Sequence, residues 1–209
     1  MIKYPDKEKV LEEFKEKYVN NLWVDEFIKN DEFYRENKEE IDSKLRKKFD
    51  FICQKCIEMQ NGNVKGEINY IYFSFLRTSL LEGKGEFRID FYDENWFLDK
   101  QECSVNIELD FLYKSLFELE PQLKERKMEY GRTITDMDVE YIILDEADKY
   151  NILSTEFLRG IVNEQFINVP SYKEMKKNSR IKILAGEFMG ESEIIYEADS
   201  KEQKTGEMV

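Results

Sequence analysis

Apolar residues recur along this chain with two periods, and the switches between them divide it into blocks. Val10, Leu11, Phe14 and Tyr18 follow one another at helical spacing with Lys and Glu between them. Leu22, Trp23, Phe27 and Ile28 continue the stripe. Residues 6–30 therefore read as one or two helices, with Asp6 after Pro5 as N-cap and Asn20-Asn21 and Asn30-Asp31 as candidate breaks. From 32 to 60 the apolar positions Ile41, Leu45, Phe49, Ile52, Cys53, Cys56 and Ile57 share one face of a long helix. Asn61-Gly62-Asn63 is a strong stop, since both residue types tolerate a left-handed C-cap.

The period then falls to two. Between Glu67 and Arg77 both alternating sets are largely apolar, with Ile68, Tyr70, Tyr72 and Leu76 on one side and Ile71, Phe73 and Phe75 on the other. A strand apolar on both faces belongs in the middle of a sheet. Gly83-Lys84-Gly85 supplies a turn. The next strand is one-sided: Phe87, Ile89 and Phe91 alternate with Glu86, Arg88, Asp90 and Tyr92. Asp93-Glu94-Asn95 reads as a turn, Trp96-Phe97-Leu98 as a third strand or a sheet-edge segment, and 102–108 as a further strand of the same meander.

Helical spacing returns at 109–127 through Leu109, Leu112, Leu116, Leu119 and Leu123, with Pro121 predicting a kink or an end near Leu119. Two further helices are expected, at 136–149 after the capping pair Thr135 and Asp138, and at 155–168 with Ser154 as N-cap. Strands return around Ile181–Ala185 and Glu193–Glu197, joined by a turn at Gly190-Glu191, with 199–209 a flexible tail.

The predicted fold class is α+β: an antiparallel sheet of four to six strands with an N-terminal helical layer and a middle helical block. Residues 1–198 are expected to form a single domain made of a helical layer (1–62), a β-meander (63–108), a helical block (109–169) and a C-terminal hairpin (180–198). The middle helices are expected on the sheet face bearing Phe87, Ile89 and Phe91, with the N-terminal helices partly covering the other.

Composition narrows the function classes. With 45 Asp and Glu against 32 Lys and Arg the formal net charge is −13, which argues against direct nucleic-acid binding and docking on an anionic membrane. It fits a basic protein partner. No run of 18 apolar residues occurs and the N-terminus carries no apolar signal region, so a cytoplasmic location is expected. The chain has no histidine, which removes His-based triads and most transition-metal sites. Its three cysteines form no disulfide framework; Cys53 and Cys56 make a Cys-x-x-Cys at helical spacing and are read as core packing. Asp145-Glu146-Ala147-Asp148 matches a helicase-type acidic box, but no phosphate loop precedes it, so it reads as the acidic flank of a helix. The acids between Glu86 and Glu108 lack the acid-x-Lys pattern of metal-dependent nucleases. No catalytic residue, metal ligand or cofactor is predicted.

What remains is the wet face of the sheet. Arg88, Asp90 and Tyr92 point the same way, and Arg77 reaches Asp90 if the turn register pairs them. Trp96 rims the group. Arg, Tyr and Trp dominate binding hot spots, so these five residues are the candidate binding surface. The leading functional expectation is a non-catalytic, acidic protein-binding module of immunity, inhibitor or regulatory type, using an exposed sheet face against a basic protein. The alternatives are a carboxylate-only, metal-dependent phosphoesterase or nuclease, and a mimic of DNA charge.

Overall fold

The structure is a computed structural model and describes residues 6–20 and 23–198. Leu22, half of the Asn20-Asn21 break and the tail 199–209 lie outside the described residues. The chain divides into two compact units: residues 1–37 with 110–152, and residues 38–109 with 153–209.

The first unit is helical. Helix α1 (Lys7–Tyr18) begins at Asp6, whose carboxylate accepts from the Glu8 backbone N–H as predicted. Helix α2 (Trp23–Asn61) gives this unit its N-terminal part and runs unbroken through Asn30-Asp31. The expected break fails because Asn30 is buried and spends its amide on the Leu112 carbonyl at 3.0 Å. Helix α4 (Asp110–Arg126) likewise passes Pro121 without ending. Burial of Leu116, Leu119 and Leu123 on both sides of the proline outweighs the lost hydrogen bond. The first part of α5 (Asp136–Glu164) completes the unit, and Thr135 and Asp138 form the predicted cap, Asp138 accepting from the Thr135 N–H at 2.8 Å. Phe14 packs edge-on to Tyr130, and Lys15 pairs with Asp145 of the acidic box. Glu146 is buried and held by Lys149, so that box is a helix flank. The two helices expected at 136–149 and 155–168 are one, and Ser154 is no N-cap but a fully buried residue inside it. The apolar stripe Ile143, Ala147, Tyr150, Leu158, Ile161 and Val162 continues past Ser154, and a buried stripe overrides a polar capping residue.

The second unit holds the sheet. Strands β1 (Ile68–Phe75), β2 (Glu86–Tyr92), β3 (Ser104–Glu108), β4 (Lys177–Glu187) and β5 (Ser192–Glu197) form five strands in the order β3-β2-β1-β4-β5. β1 is central, as its two apolar faces required. The antiparallel expectation needs one correction: β1 and β4 run parallel, with Ile71 opposite Ile183 and Phe73 opposite Ala185. The chain between β3 and β4 is long and helical, and such a connection can return the chain to run parallel, which a hairpin cannot.

One face of the sheet is the core of this unit. Ile71, Phe73 and Phe75 lie opposite Phe91, Ile89 and Phe87, all buried. Phe49 of α2 meets Phe91 with ring centroids 6.0 Å apart and stacks on Phe166 at 4.2 Å, and Phe166 stacks on Phe73. Residues from both the N-terminal and the middle helical segments thus cover the same face, not opposite ones. The other face carries Tyr70, Tyr72, Ser74, Arg88, Asp90 and Tyr92.

Between β1 and β2 the chain is not a plain hairpin. Residues Arg77–Leu81 form a helical turn, α3, and Gly83 follows with φ +72°, a conformation that favours glycine. Trp96–Leu98 form a single turn of 3-10 helix in place of a strand, with Trp96 at φ +56°. Pro170 opens a short helix, α6 (Pro170–Glu174), at its first position.

Candidate functional site

The polar face of the sheet is held by one buried carboxylate. Asp90 sits in the middle of β2, opposite Tyr72 on β1 and Ser104 on β3. Period-two alternation puts it on the same side as Arg88 and Tyr92. Arg88 donates to Asp90 Oδ1 from Nε at 2.9 Å and from its second guanidinium nitrogen at 2.8 Å, and reaches Glu102 Oε1 at 3.0 Å. The other carboxylate oxygen, Oδ2, is buried without a hydrogen-bond partner among the described residues. Ser74, opposite Arg88 on β1 and fully buried, likewise has an unpartnered Oγ. Burial raises the Asp90 carboxyl above the usual carboxylate range, against the lowering pull of the Arg88 charge and hydrogen bonds. Burial also pushes the Tyr92 hydroxyl up to about 12, helped by the negative charge of Asp90. A tyrosine so shifted is no phenolate nucleophile.

An aromatic layer packs on the tyrosines of this face. After β2 the chain turns back, and the 3-10 turn sets Trp96 edge-on to Tyr70 with centroids 4.2 Å apart. Trp96 also contacts Tyr72 and Tyr92, and Phe97 meets Tyr72, Tyr92 and Phe188. Beyond them Leu98 and Met189 are strongly exposed, at 82% and 69%, and Phe188 is 39% exposed.

A buried ion pair anchors the loop. Lys65 and Asp99 have side chains 1% and 2% exposed, and Lys65 Nζ donates to Asp99 Oδ2 and to the Gln101 carbonyl, each at 2.6 Å. Asp99 also accepts from the backbone N–H groups of Asp93 at 3.0 Å and Gln101 at 2.9 Å. Burial raises its carboxyl, but the Lys65 and backbone hydrogen bonds outweigh burial and leave it below the usual carboxylate range. One aspartate thus closes both ends of the segment that carries Trp96 and Phe97.

Of the five predicted residues, the structure brings four together: Arg88, Asp90, Tyr92 and Trp96. Arg77 is elsewhere. β1 ends at Phe75, so Arg77 falls in the helical turn α3 and forms an ion pair with Glu187. Sequence reasoning missed Ser74, Tyr72, Phe97 and the Lys65–Asp99 pair. The alternation that placed Tyr70 and Tyr72 also places Ser74, whereas nothing local to Lys65 announces its distant partner. A groove of about 760 Å³ runs between α2 and the start of α6, lined by Arg46, Lys47, Asp50, Gln54 and Ser171 among others, and includes none of the five.

Among the described residues no three His, Cys, Asp or Glu side chains are grouped so as to hold a metal ion, and no helix is long and apolar enough to cross a membrane. The chain matches no protein family, no curated protein and no solved structure.

Proposed function

We propose that this protein is a non-catalytic binding module that engages a basic protein through the loop-covered polar face of its sheet. The observation that carries the proposal is Asp90. Asp90 is 3% exposed and keeps one carboxylate oxygen without a partner among the described residues, on the face where Trp96 and Phe97 pack against Tyr72 and Tyr92. A buried carboxylate with an unused acceptor is matched by a donor arriving from outside, and a Lys or Arg side chain supplies donor and charge together. Aromatic rings beside it favour the same cation through their faces. The exposed Leu98, Phe188 and Met189 give the surround the apolar, methionine- and aromatic-rich character of interface cores. The net charge of −13 steers a basic partner toward the whole molecule.

The test is capture by the immobilised full chain at low salt. The expected result is a specific basic protein that is released as ionic strength rises. Trp96→Ala, which removes the ring contacting Tyr70, Tyr72 and Tyr92, should abolish retention. Retention unchanged in Trp96→Ala, or the absence of any specific basic protein at low salt, overturns the proposal.

A further inference from the structure

The groove between α2 and α6 carries opposite charges at its two ends. Its walls run in the same direction: Gln165 donates to Asp42 at 2.6 Å near one end, and Gln60 donates to the Lys176 carbonyl at 2.7 Å near the other. Arg46 and Lys47 line the groove toward the first end, and Glu58 with Glu174 line it toward the second. All four are exposed, and none forms an ion pair among the described residues. Lys44 on the same helix does pair, with Glu40 at 2.6 Å. Asp50 lies within about one turn of Arg46 and Lys47, but its two oxygens accept from Ser171 Oγ at 2.6 Å and Gln54 Nε2 at 2.8 Å. The bond from the buried Ser171 joins the two walls at mid-groove.

Phe51 is a second observation at the same place. It is 57% exposed on α2. Lys47, Phe51, Gln54 and Glu58 follow at steps of four, three and four, so the ring shares a helix face with both charged ends and stands between them. An exposed aromatic on a regular helix has the character of interface cores. Ile57 and Val169 add apolar surface within the groove.

We propose that this groove binds an extended peptide segment of another protein, acidic at one end, apolar in the middle and basic at the other. The acidic end meets Arg46 and Lys47, the apolar side chain meets Phe51, and the basic end meets Glu58 and Glu174. From Lys47 to Glu58 the helix rises roughly 17 Å. An extended chain advances about 3.3 Å per residue, so a segment of about five to seven residues spans both ends. A small zwitterion is too short to do so. A nucleic acid is negative along its whole length and meets repulsion at Glu58 and Glu174. The ion pairs formed are exposed, so the complex is weak and sensitive to salt. The groove contains none of the residues of the sheet-face site, and the inference is independent of that reading.

The test is isothermal titration calorimetry of the full chain with the acetylated, amidated peptide Asp-Glu-Ser-Leu-Ser-Lys-Lys. Its control is Asp-Lys-Ser-Leu-Ser-Glu-Lys, which has the same composition with the charges interleaved. Both carry no net charge, so general attraction to the acidic chain does not separate them. The expected result is saturable binding of the first peptide, with a dissociation constant on the order of 100 µM, and binding of the control at least about tenfold weaker. Lys47→Glu and Phe51→Ser should each weaken the first peptide by about tenfold or more. Lys48→Glu, the same charge change at an exposed α2 position outside the groove, should leave it within about twofold. No saturation by about 1 mM, equal binding of the two peptides, or unchanged binding in Lys47→Glu overturns the inference. A dimer of the full chain that Lys47→Glu dissociates, seen by sedimentation, also overturns it, because a second copy then fills the groove. The two peptides on the wild-type chain decide the matter even where a variant fails to fold.

Discussion

Two ion pairs in this protein have the same N–O distance and should differ several-fold in energy. Lys65–Asp99 and Lys44–Glu40 are both 2.6 Å apart, but the first pair is 1% and 2% exposed and the second 73% and 66%. Water and salt screen the exposed pair, so Lys44→Ala should cost less than about 1 kcal/mol. Asp99→Ala removes the carboxylate paired with a buried ammonium and leaves that ammonium hydrogen-bonded to the Gln101 carbonyl alone among the described residues. Breaking a buried pair in this way costs about 3–5 kcal/mol. Lys65→Met leaves the Asp99 carboxylate with two backbone donors, so its loss should lie near the lower end, roughly 3 kcal/mol. In Lys65→Met/Asp99→Ala no charge is stranded. The double variant should lose about 3–4 kcal/mol, well short of the sum, for a coupling of roughly 3 kcal/mol.

Urea unfolding followed by circular dichroism measures these values. A loss of about 4 kcal/mol corresponds to a fall in Tm of roughly 8–16 °C for a chain of this size. Fluorescence in a Trp23→Phe background reports Trp96 alone, since the chain has two tryptophans. Because Asp99 closes both ends of the Trp96 segment, Asp99→Ala should shift the Trp96 emission to the red at urea concentrations below the main transition. If the two single losses add within about 0.5 kcal/mol, or if Asp99→Ala costs no more than Lys44→Ala, the anchoring role of the pair is refuted.

Two further outcomes follow from the geometry. Gly186→Ala should destabilise by about 1–3 kcal/mol, read as a lower urea midpoint, because a Cβ there would lie 2.5 Å from Ser192 Cα and closer still to the Glu191 carbonyl, both backbone of the β4–β5 hairpin; an unchanged midpoint would contradict this packing. Asp90 governs a pH dependence: its folded pKa is raised, so between its unfolded and folded values the folded state binds more protons and stability falls as pH rises through that window. Asp90→Asn removes this penalty, so its stability relative to wild type should improve from acid to neutral pH, and a difference constant with pH would disprove it.

The main features of the fold could be read from residue patterns because they depend on local periodicity. Apolar positions on both sides of Ile68–Phe75 placed β1 at the centre, and the one-sided alternation of Phe87, Ile89 and Phe91 placed the core face. The errors fall where a distant contact overrode a local signal. Asn30 and Ser154 carry side chains typical of helix ends, yet both are buried inside continuous helices, and Asn30 is satisfied by Leu112, far along the chain. The parallel β1–β4 pairing has the same origin, since no local pattern distinguishes a strand that pairs parallel from one that pairs antiparallel when both are apolar.

The candidate site follows the same division. Alternation alone put Arg88, Asp90 and Tyr92 on one face, and they are there. Arg77 was misplaced because the apolar Leu76 after Phe75 is consistent with a longer strand, while the chain turns into α3 instead. What covers the tyrosines of this face is the loop carrying Trp96 and Phe97, and the loop depends on Lys65, which follows the α2 stop signal and reads as an ordinary surface lysine. Its meaning lies in Asp99, 34 residues on. The loop that carries Trp96 is therefore tied at Asp99 to Lys65, just past the end of α2. A lost charge at Lys65 or Asp99 acts on the position of Trp96 on the polar face before it acts on the rest of the sheet.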